Sequence, residues 1–335
     1  MSKEQNSSGT GPVRVGVIGL GRFGTLHALT ADSLAEAELV GVVARRQTSL
    51  DAFHTKRPKV PGWTDLNRAI GESGAEAWIV ACSTADHVPV TEALLAAGKT
   101  VLLEKPVATS CAEAEQLAPL VRGDSSNLMV GHILLFNSEF RELRVEAARR
   151  GPLAYIDCAR HRPASIVRDF PGENPLHATM VHDLYCLQVL MNRADPVAYS
   201  ARYHVTQEGA IDLALAQLQW GSGTLANCVA SYTTPVGMAP RGFDRMELFG
   251  EGWSARISPN PRPIELWDDR ARWPLALEIR AGDAHPTGMM AEEQRTFYRV
   301  VRGTEPVPVG ATFHDALQVQ RWLDRLDAAA QLNRM

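Results

Sequence analysis

The chain has 335 residues, 45% of them hydrophobic and 21% charged, with 34 basic against 38 acidic side chains and a net charge of −4. That length exceeds one ordinary hydrophobic core and predicts two domains. The charge balance excludes nucleic acid or an anionic membrane as the main partner. The five cysteines are scattered and form no Cys-x-x-Cys pair, which excludes a disulfide framework and a structural zinc site and fits a reducing cytoplasm.

Residues 1–11 are polar, rich in serine and glycine, and lack the apolar core of a secretory signal; they read as a disordered tail. No apolar stretch approaches the length that spans a bilayer. Strand and helix then alternate. Val13–Ile18 is a strand, Phe23–Ala35 a helix, Glu38–Ala44 a strand and Trp78–Cys82 another. Val88–Ala97 is a helix closed by Gly98, Thr100–Leu103 a strand, Cys111–Arg122 a helix and Leu128–Phe136 a further strand. This rhythm builds a doubly wound parallel sheet, an α/β domain over residues 12–127.

From residue 128 to 335 the pattern changes. Strands are predicted at Leu153–Ala159, Ala198–Val205, Leu213–Trp220, Leu225–Ser231, Arg245–Phe249 and Ile264–Trp267, several joined by hairpin-length links. Helices are predicted at Met180–Met191, Ala291–Arg302 and His314–Gln331. The expectation is an α+β domain with one large, open, mainly antiparallel sheet. Its outer face needs cover, and a second copy of the chain in a homo-oligomer would supply it.

The first strand runs straight into Gly19-Leu20-Gly21-Arg22-Phe23-Gly24. Gly19 allows the turn out of the strand, Gly21 lets a pyrophosphate approach the backbone, and Gly24 lets the helix pack on the strand. The pyrophosphate then sits on free N–H groups at the positive end of the helix. A carboxylate ~20 residues past the glycines would hold the ribose hydroxyl of NAD. The chain has Ala44-Arg45-Arg46 there, which suits a 2′-phosphate, so NADP is expected to be preferred over NAD. Ser83 and Thr84, after the strand Trp78–Ala81, are placed to bond ribose or carboxamide, and His87 either caps the following helix or faces the cofactor.

Glu104-Lys105-Pro106 ends the apolar run Thr100–Leu103. The carboxyl end of a parallel strand is where open α/β sheets bind ligands, so Lys105 there is a candidate for handling charge or a proton. The glycine loop, Ser83-Thr84 with His87, and Ala97-Gly98-Lys99-Thr100-Val101-Leu102-Leu103-Glu104-Lys105-Pro106 together resemble the Gfo/Idh/MocA family. Gly131-His132, Phe136-Asn137 and Val181-His182-Asp183-Leu184 resemble its later segments.

The resemblance implies an NAD(P)-dependent oxidoreductase that moves a hydride between nicotinamide C4 and a secondary alcohol or ketone of a sugar, inositol or sugar derivative. It implies that Glu104 and Lys105 line the cofactor site, often before a cis proline. It also implies that Lys105 and His182 are catalytic. The family's Asp-x-x-x-His pattern departs here, because Ala178 stands four residues before His182. Arg162, Arg168 and His177 lie in a basic stretch before His182 that would suit an anionic substrate group. No metal is needed. Ala178 leaves two other readings open: an NADP-binding sensor or partner subunit without turnover, and a reductase of a non-sugar carbonyl.

Overall fold

The computed structural model describes residues 11–169, 172, 174–235, 242–259, 262, 263, 266, 267, 271, 272, 275, 276 and 286–332. The chain divides into two compact units, Met1–Gly131 with Gly282–His314, and His132–Ala281 with Asp315–Met335.

In the first unit the chain runs β1 (Val13–Ile18), α1 (Arg22–Ser33), β2 (Ala37–Val43), α2 (Gln47–His54), β3 (Gly62–Trp63) and α3 (Leu66–Glu72). It continues with β4 (Ala77–Val80), α4 (Thr84–Ala96), β5 (Thr100–Glu104), α5 (Cys111–Ala114) and β6 (Leu128–Gly131). The strands form one six-stranded sheet in the order β3-β2-β1-β4-β5-β6, every pair parallel. Residues of β1, β4, β5 and β6 are almost wholly buried, as in a parallel sheet covered on both faces. Gly16 of β1 is needed for this packing, because a Cβ there would lie 2.3 Å from the buried Trp78 ring.

The expected cut at residues 127 and 128 is displaced on both sides. Leu128–Gly131 is the last strand of the parallel sheet, with Val101 to Glu104 as its register partners. A later segment also returns to this unit, where the Val130 N–H bonds the Ala311 carbonyl at 2.9 Å. The predicted strand Leu128–Phe136 stops at Gly131, and Ile133–Phe136 form a 3₁₀ turn. The helix predicted over Cys111–Arg122 is α-helical only to Ala114 and then 3₁₀ over Glu115–Leu120, a stretch containing Pro119, which lacks an N–H for the helical ladder.

The second unit runs α6 (Ser138–Arg150), β7 (Leu153–Pro163), α7 (Ser165–Asp169), a π turn at Leu176–Met180 and α8 (Val181–Leu190). Then come β8 (Ala198–Val205), β9 (Ile211–Gln219), β10 (Leu225–Thr234), β11 (Phe243–Gly250) and β12 (Trp253–Ile257). The sheet order is β12-β11-β7-β10-β9-β8. Only β7 and β10 pair in parallel; the other neighbours are antiparallel. The expected second, mainly antiparallel sheet is therefore present. Of the predicted strand Ile264–Trp267, residues 264 and 265 lie outside the described residues, and Leu266–Trp267 pair with Ala271–Arg272.

Two helices complete the chain, α9 (Met289–Val301) in the first unit and α10 (Phe313–Leu332), most of which belongs to the second. The sequence reading passed over α6 and β12. In α6 the apolar spacing is plain in hindsight: Phe140, Leu143 and Ala147 are its buried residues, and the Asn137 side chain caps its start by accepting the Phe140 N–H at 2.8 Å. Helix α8 is buried nearly all round, as its sequence without a polar stripe requires.

Candidate active site

Strands β1 and β5 both run parallel to β4, so they end on one edge of the sheet. At that edge the glycine loop leaves β1. Gly19 sits at φ +91, a conformation that favours glycine, and a Cβ on it would lie 2.4 Å from the Ala81 carbonyl oxygen. A Cβ on Gly24 would lie 1.9 Å from the Gly19 oxygen, so α1 approaches the loop only because Gly24 has none. Gly21 differs, with nothing within 4 Å of its would-be Cβ.

Gly21 is the N-cap of α1, and no side chain among the described residues caps that helix. Its first-turn N–H groups and the open space before them fit a pyrophosphate. Leu20 gives its carbonyl to the Thr25 hydroxyl at 3.4 Å, Arg22 is exposed, and Phe23 meets the His27 ring edge-on at 5.4 Å.

At the end of β2, Ala44 is buried and Arg45 and Arg46 are exposed. The Arg45 guanidinium lies 3.4 Å from the Asp86 carboxylate. Ser83 is the N-cap residue of α4, its hydroxyl donates to Asp86, and Thr84 is the first residue of the helix. The expectation that His87 caps this helix is not met. His87 lies within the first turns of α4, which begins earlier than predicted, and it is 1% exposed.

The Glu104 carboxylate, expected at the cofactor site, is buried against His27. One oxygen lies 2.8 Å from His27 Nε2, and the other accepts the Lys105 N–H at 3.2 Å. The His27 proton can be placed. The Gln294 amide nitrogen donates to the His27 carbonyl oxygen at 3.1 Å, so the same group donates to His27 Nδ1 at 3.0 Å. Nδ1 is then the acceptor, and Nε2–H donates to Glu104.

Glu293 of α9 joins this cluster, and the ligating atoms of His27, Glu104 and Glu293 lie within 4.8 Å of one another. With its proton on Nε2, His27 has no lone pair there for a metal. Burial, then repulsion from Glu104, holds the Glu293 carboxyl well above its ordinary pKa.

The backbone just past Lys105 is also fixed, at Pro106. His87 Nδ1–H donates to the Pro106 carbonyl at 2.8 Å, and burial holds the His87 pKa below its ordinary value. The Lys105–Pro106 bond is cis. Lys105 is half-buried at the sheet edge where the glycine loop lies.

In the second unit, His182 stands half-buried near the start of α8. Its Nδ1 is 2.7 Å from the hydroxyl of Tyr185, three residues along the same helix face. The neighbouring Asp183 points elsewhere. It pairs at 2.9 Å with Arg160 of β7, which also pairs at 2.9 Å with Asp244 of β11. Burial raises the Asp183 pKa to about 6 against the pull of Arg160.

Arg162 is committed to Asp244 through two bonds of 2.6 and 3.1 Å. Arg168 lies exposed on α7, and His177 is half-buried in the π turn before α8. The sequence reading passed over His27, Glu293 and Tyr185. Tyr185 carried a local signal, the i, i+3 spacing from His182; the other two become neighbours of Glu104 only on folding.

A glycine loop opening a helix at the end of the first parallel strand, with a held lysine at the same sheet edge, defines a nicotinamide-dependent oxidoreductase. Two family models match in succession. One, described as an oxidoreductase family with an NAD-binding Rossmann fold, matches residues 13–132, and the GFO/IDH/MocA C-terminal domain matches residues 129–256. The chain belongs to the Gfo/Idh/MocA family and is an NAD(P)-dependent dehydrogenase acting on CH–OH groups.

Among its relatives is a myo-inositol 2-dehydrogenase of Thermotoga maritima, 26% identical over 314 residues that cover 89% of this chain and 90% of the relative. A myo-inositol dehydrogenase of Streptomyces leeuwenhoekii is 28% identical over 332 residues, covering 91% and 94%. The solved scyllo-inositol dehydrogenase of Lactobacillus casei, with bound NAD(H) and scyllo-inositol, superposes with a TM-score of 0.80 at 18% identity, covering 96% of this chain and 98% of that one, which shows the shared fold. No helix among the described residues is long and apolar enough to cross a membrane.

Proposed function

We propose that the protein oxidises, or forms by reduction, a secondary alcohol of an inositol or sugar, with NADP preferred over NAD. The observation that carries this is Lys105 on the sheet edge that bears the glycine loop, its own N–H held by Glu104 and the Pro106 carbonyl that follows it held by His87. The named activities of the relatives support the substrate class. When bound, the cofactor supplies the hydride acceptor or donor at nicotinamide C4. Gly19, Gly21, Gly24 and the first turn of α1 would hold its pyrophosphate, and Ser83 and Thr84 its ribose or carboxamide. Exposed Arg45 and Arg46 would hold the 2′-phosphate by paired hydrogen bonds.

Lys105 would donate to the substrate oxygen and stabilise charge developing on it. His182 would take the hydroxyl proton in oxidation and return it in reduction. The protein would act in the cytoplasm, in keeping with its five free cysteines. It would assemble as a homo-oligomer through the outer face of the second sheet. Tyr155, Leu225 and Phe249 adjoin there in register, and Leu225 is 49% exposed.

The test is a screen of NADP- and NAD-linked turnover over inositols, sugars and their acids, with Lys105→Ala and His182→Asn beside the wild type. Turnover on a polyol, favoured with NADP and strongly reduced in kcat by Lys105→Ala, supports the reading. Tight NADPH binding with no turnover on any of them would replace it with the sensor suggested by Ala178.

A further inference from the structure

We infer that Tyr185 is the positioning residue for His182, a neutral phenol serving where the family's pattern has a carboxylate at position 178. The inference rests on the reading of His182 as the proton acceptor.

Three contacts hold the phenol. Tyr185 is fully buried, and its ring stacks on His132 at 4.2 Å and 11°. Its oxygen accepts the Leu134 N–H at 3.0 Å. That N–H becomes available because the chain leaves β6 in a 3₁₀ turn at Ile133–Phe136 instead of continuing as a strand. The same oxygen lies 2.7 Å from His182 Nδ1, with the two rings edge to face at 75°. A phenol fixed by a backbone N–H and a ring stack cannot follow the imidazole, so the imidazole is oriented by the phenol. On the turn before His182 the Ala178 side chain is apolar, and the neighbouring Asp183 carboxylate pairs with Arg160.

The chemistry follows from the donor set. A phenol oxygen can accept from Nδ1–H while it also accepts from Leu134. In the tautomer with the proton on Nδ1, the His182 imidazole carries its lone pair on Nε2. In oxidation the carbinol O–H bond breaks and its proton forms the Nε2–H bond. The carbinol C–H bond would break with its electron pair passing as hydride to a bound nicotinamide, and the carbon–oxygen double bond would form. Nδ1–H stays on the phenol throughout. A carboxylate in that role would add charge stabilisation of the imidazolium; a phenol adds orientation with little of it.

The test compares Tyr185→Phe with the wild type. Nitrogen-15 spectra of the His182 imidazole need no substrate. They are expected to show Nδ1 hydrogen-bonded in the wild type and a changed tautomer ratio in the variant, which keeps the His132 stack but melts lower because the buried Leu134 N–H loses its acceptor. On a turned-over substrate, kcat should fall about tenfold or more with KM little changed, and the acidic limb of the pH profile should move. Unchanged imidazole signals and unchanged kcat would overturn the inference. A variant that fails to fold leaves the wild-type spectrum decisive, since an Nδ1 free of hydrogen bonding also overturns it. If the imidazole signals change but His182→Asn keeps full turnover, the contact stands and the role of His182 as proton acceptor is what fails.

Discussion

The glycines at 21 and 24 make opposite demands, and alanine at each separates folding from cofactor binding. At Gly21 the backbone has φ −70 and ψ −172, which any residue adopts, and the space around its would-be Cβ is open. Alanine there should leave stability within about 1 kcal/mol of the wild type, because the gain through the unfolded chain is offset by the poorer N-cap. Its methyl group would stand in front of the first-turn N–H groups of α1. Losing two charge-assisted hydrogen bonds at about 1.5 kcal/mol each weakens binding by about 3 kcal/mol, roughly 100-fold in Kd.

At Gly24 the same methyl meets the Gly19 carbonyl oxygen at 1.9 Å, so the helix must shift, at about 1–3 kcal/mol of stability. Thermal melts and NADPH fluorescence titrations of both variants measure the two effects. A Gly21→Ala protein that binds NADPH within about twofold of the wild type would refute the placement of the pyrophosphate over this loop.

Glu293→Gln should keep the fold and become progressively more stable than the wild type as pH rises. The folded-state pKa of Glu293 is raised, so its favourable contribution is complete below the unfolded carboxyl pKa and is lost as pH climbs through the folded value; glutamine never ionises. Urea midpoints across pH check the sign, and a parallel pair of curves would contradict it. Asp244→Asn removes the carboxylate shared by Arg160 and Arg162 and should cost about 3–5 kcal/mol in chemical denaturation. Leu225→Lys places a charge in the exposed apolar row beside Tyr155 and should yield a smaller assembly by light scattering, with the nucleotide site intact.

The nucleotide-binding architecture was legible because its signals are local. A buried strand, a glycine spacing and a helix start follow one another within residues 13–33, and no distant partner is needed to interpret them. Lys105 was legible for the same reason, as a cation at a strand end. The orientation of Glu104 was not, because His27 and Glu293 reach it from α1 and α9. The strand at Leu128 looked longer than it is, since Ile133–Phe136 are apolar and suit a buried turn as well as a strand. Domain boundaries blurred because the segment carrying α9 returns to the first unit, and no sequence pattern marks that return.

The central claim is tested most directly by following deuterium. A polyol deuterated at the reacting carbinol carbon is mixed with NADP and either wild-type or Lys105→Met protein, and the nicotinamide product is examined by mass spectrometry. Deuterium is expected at C4 of NADPH with the wild type and almost none with the variant, at similar cofactor affinity. Equal transfer by both proteins would contradict the role given to Lys105, and none from any polyol by a wild type that binds NADPH tightly would contradict the dehydrogenase reading.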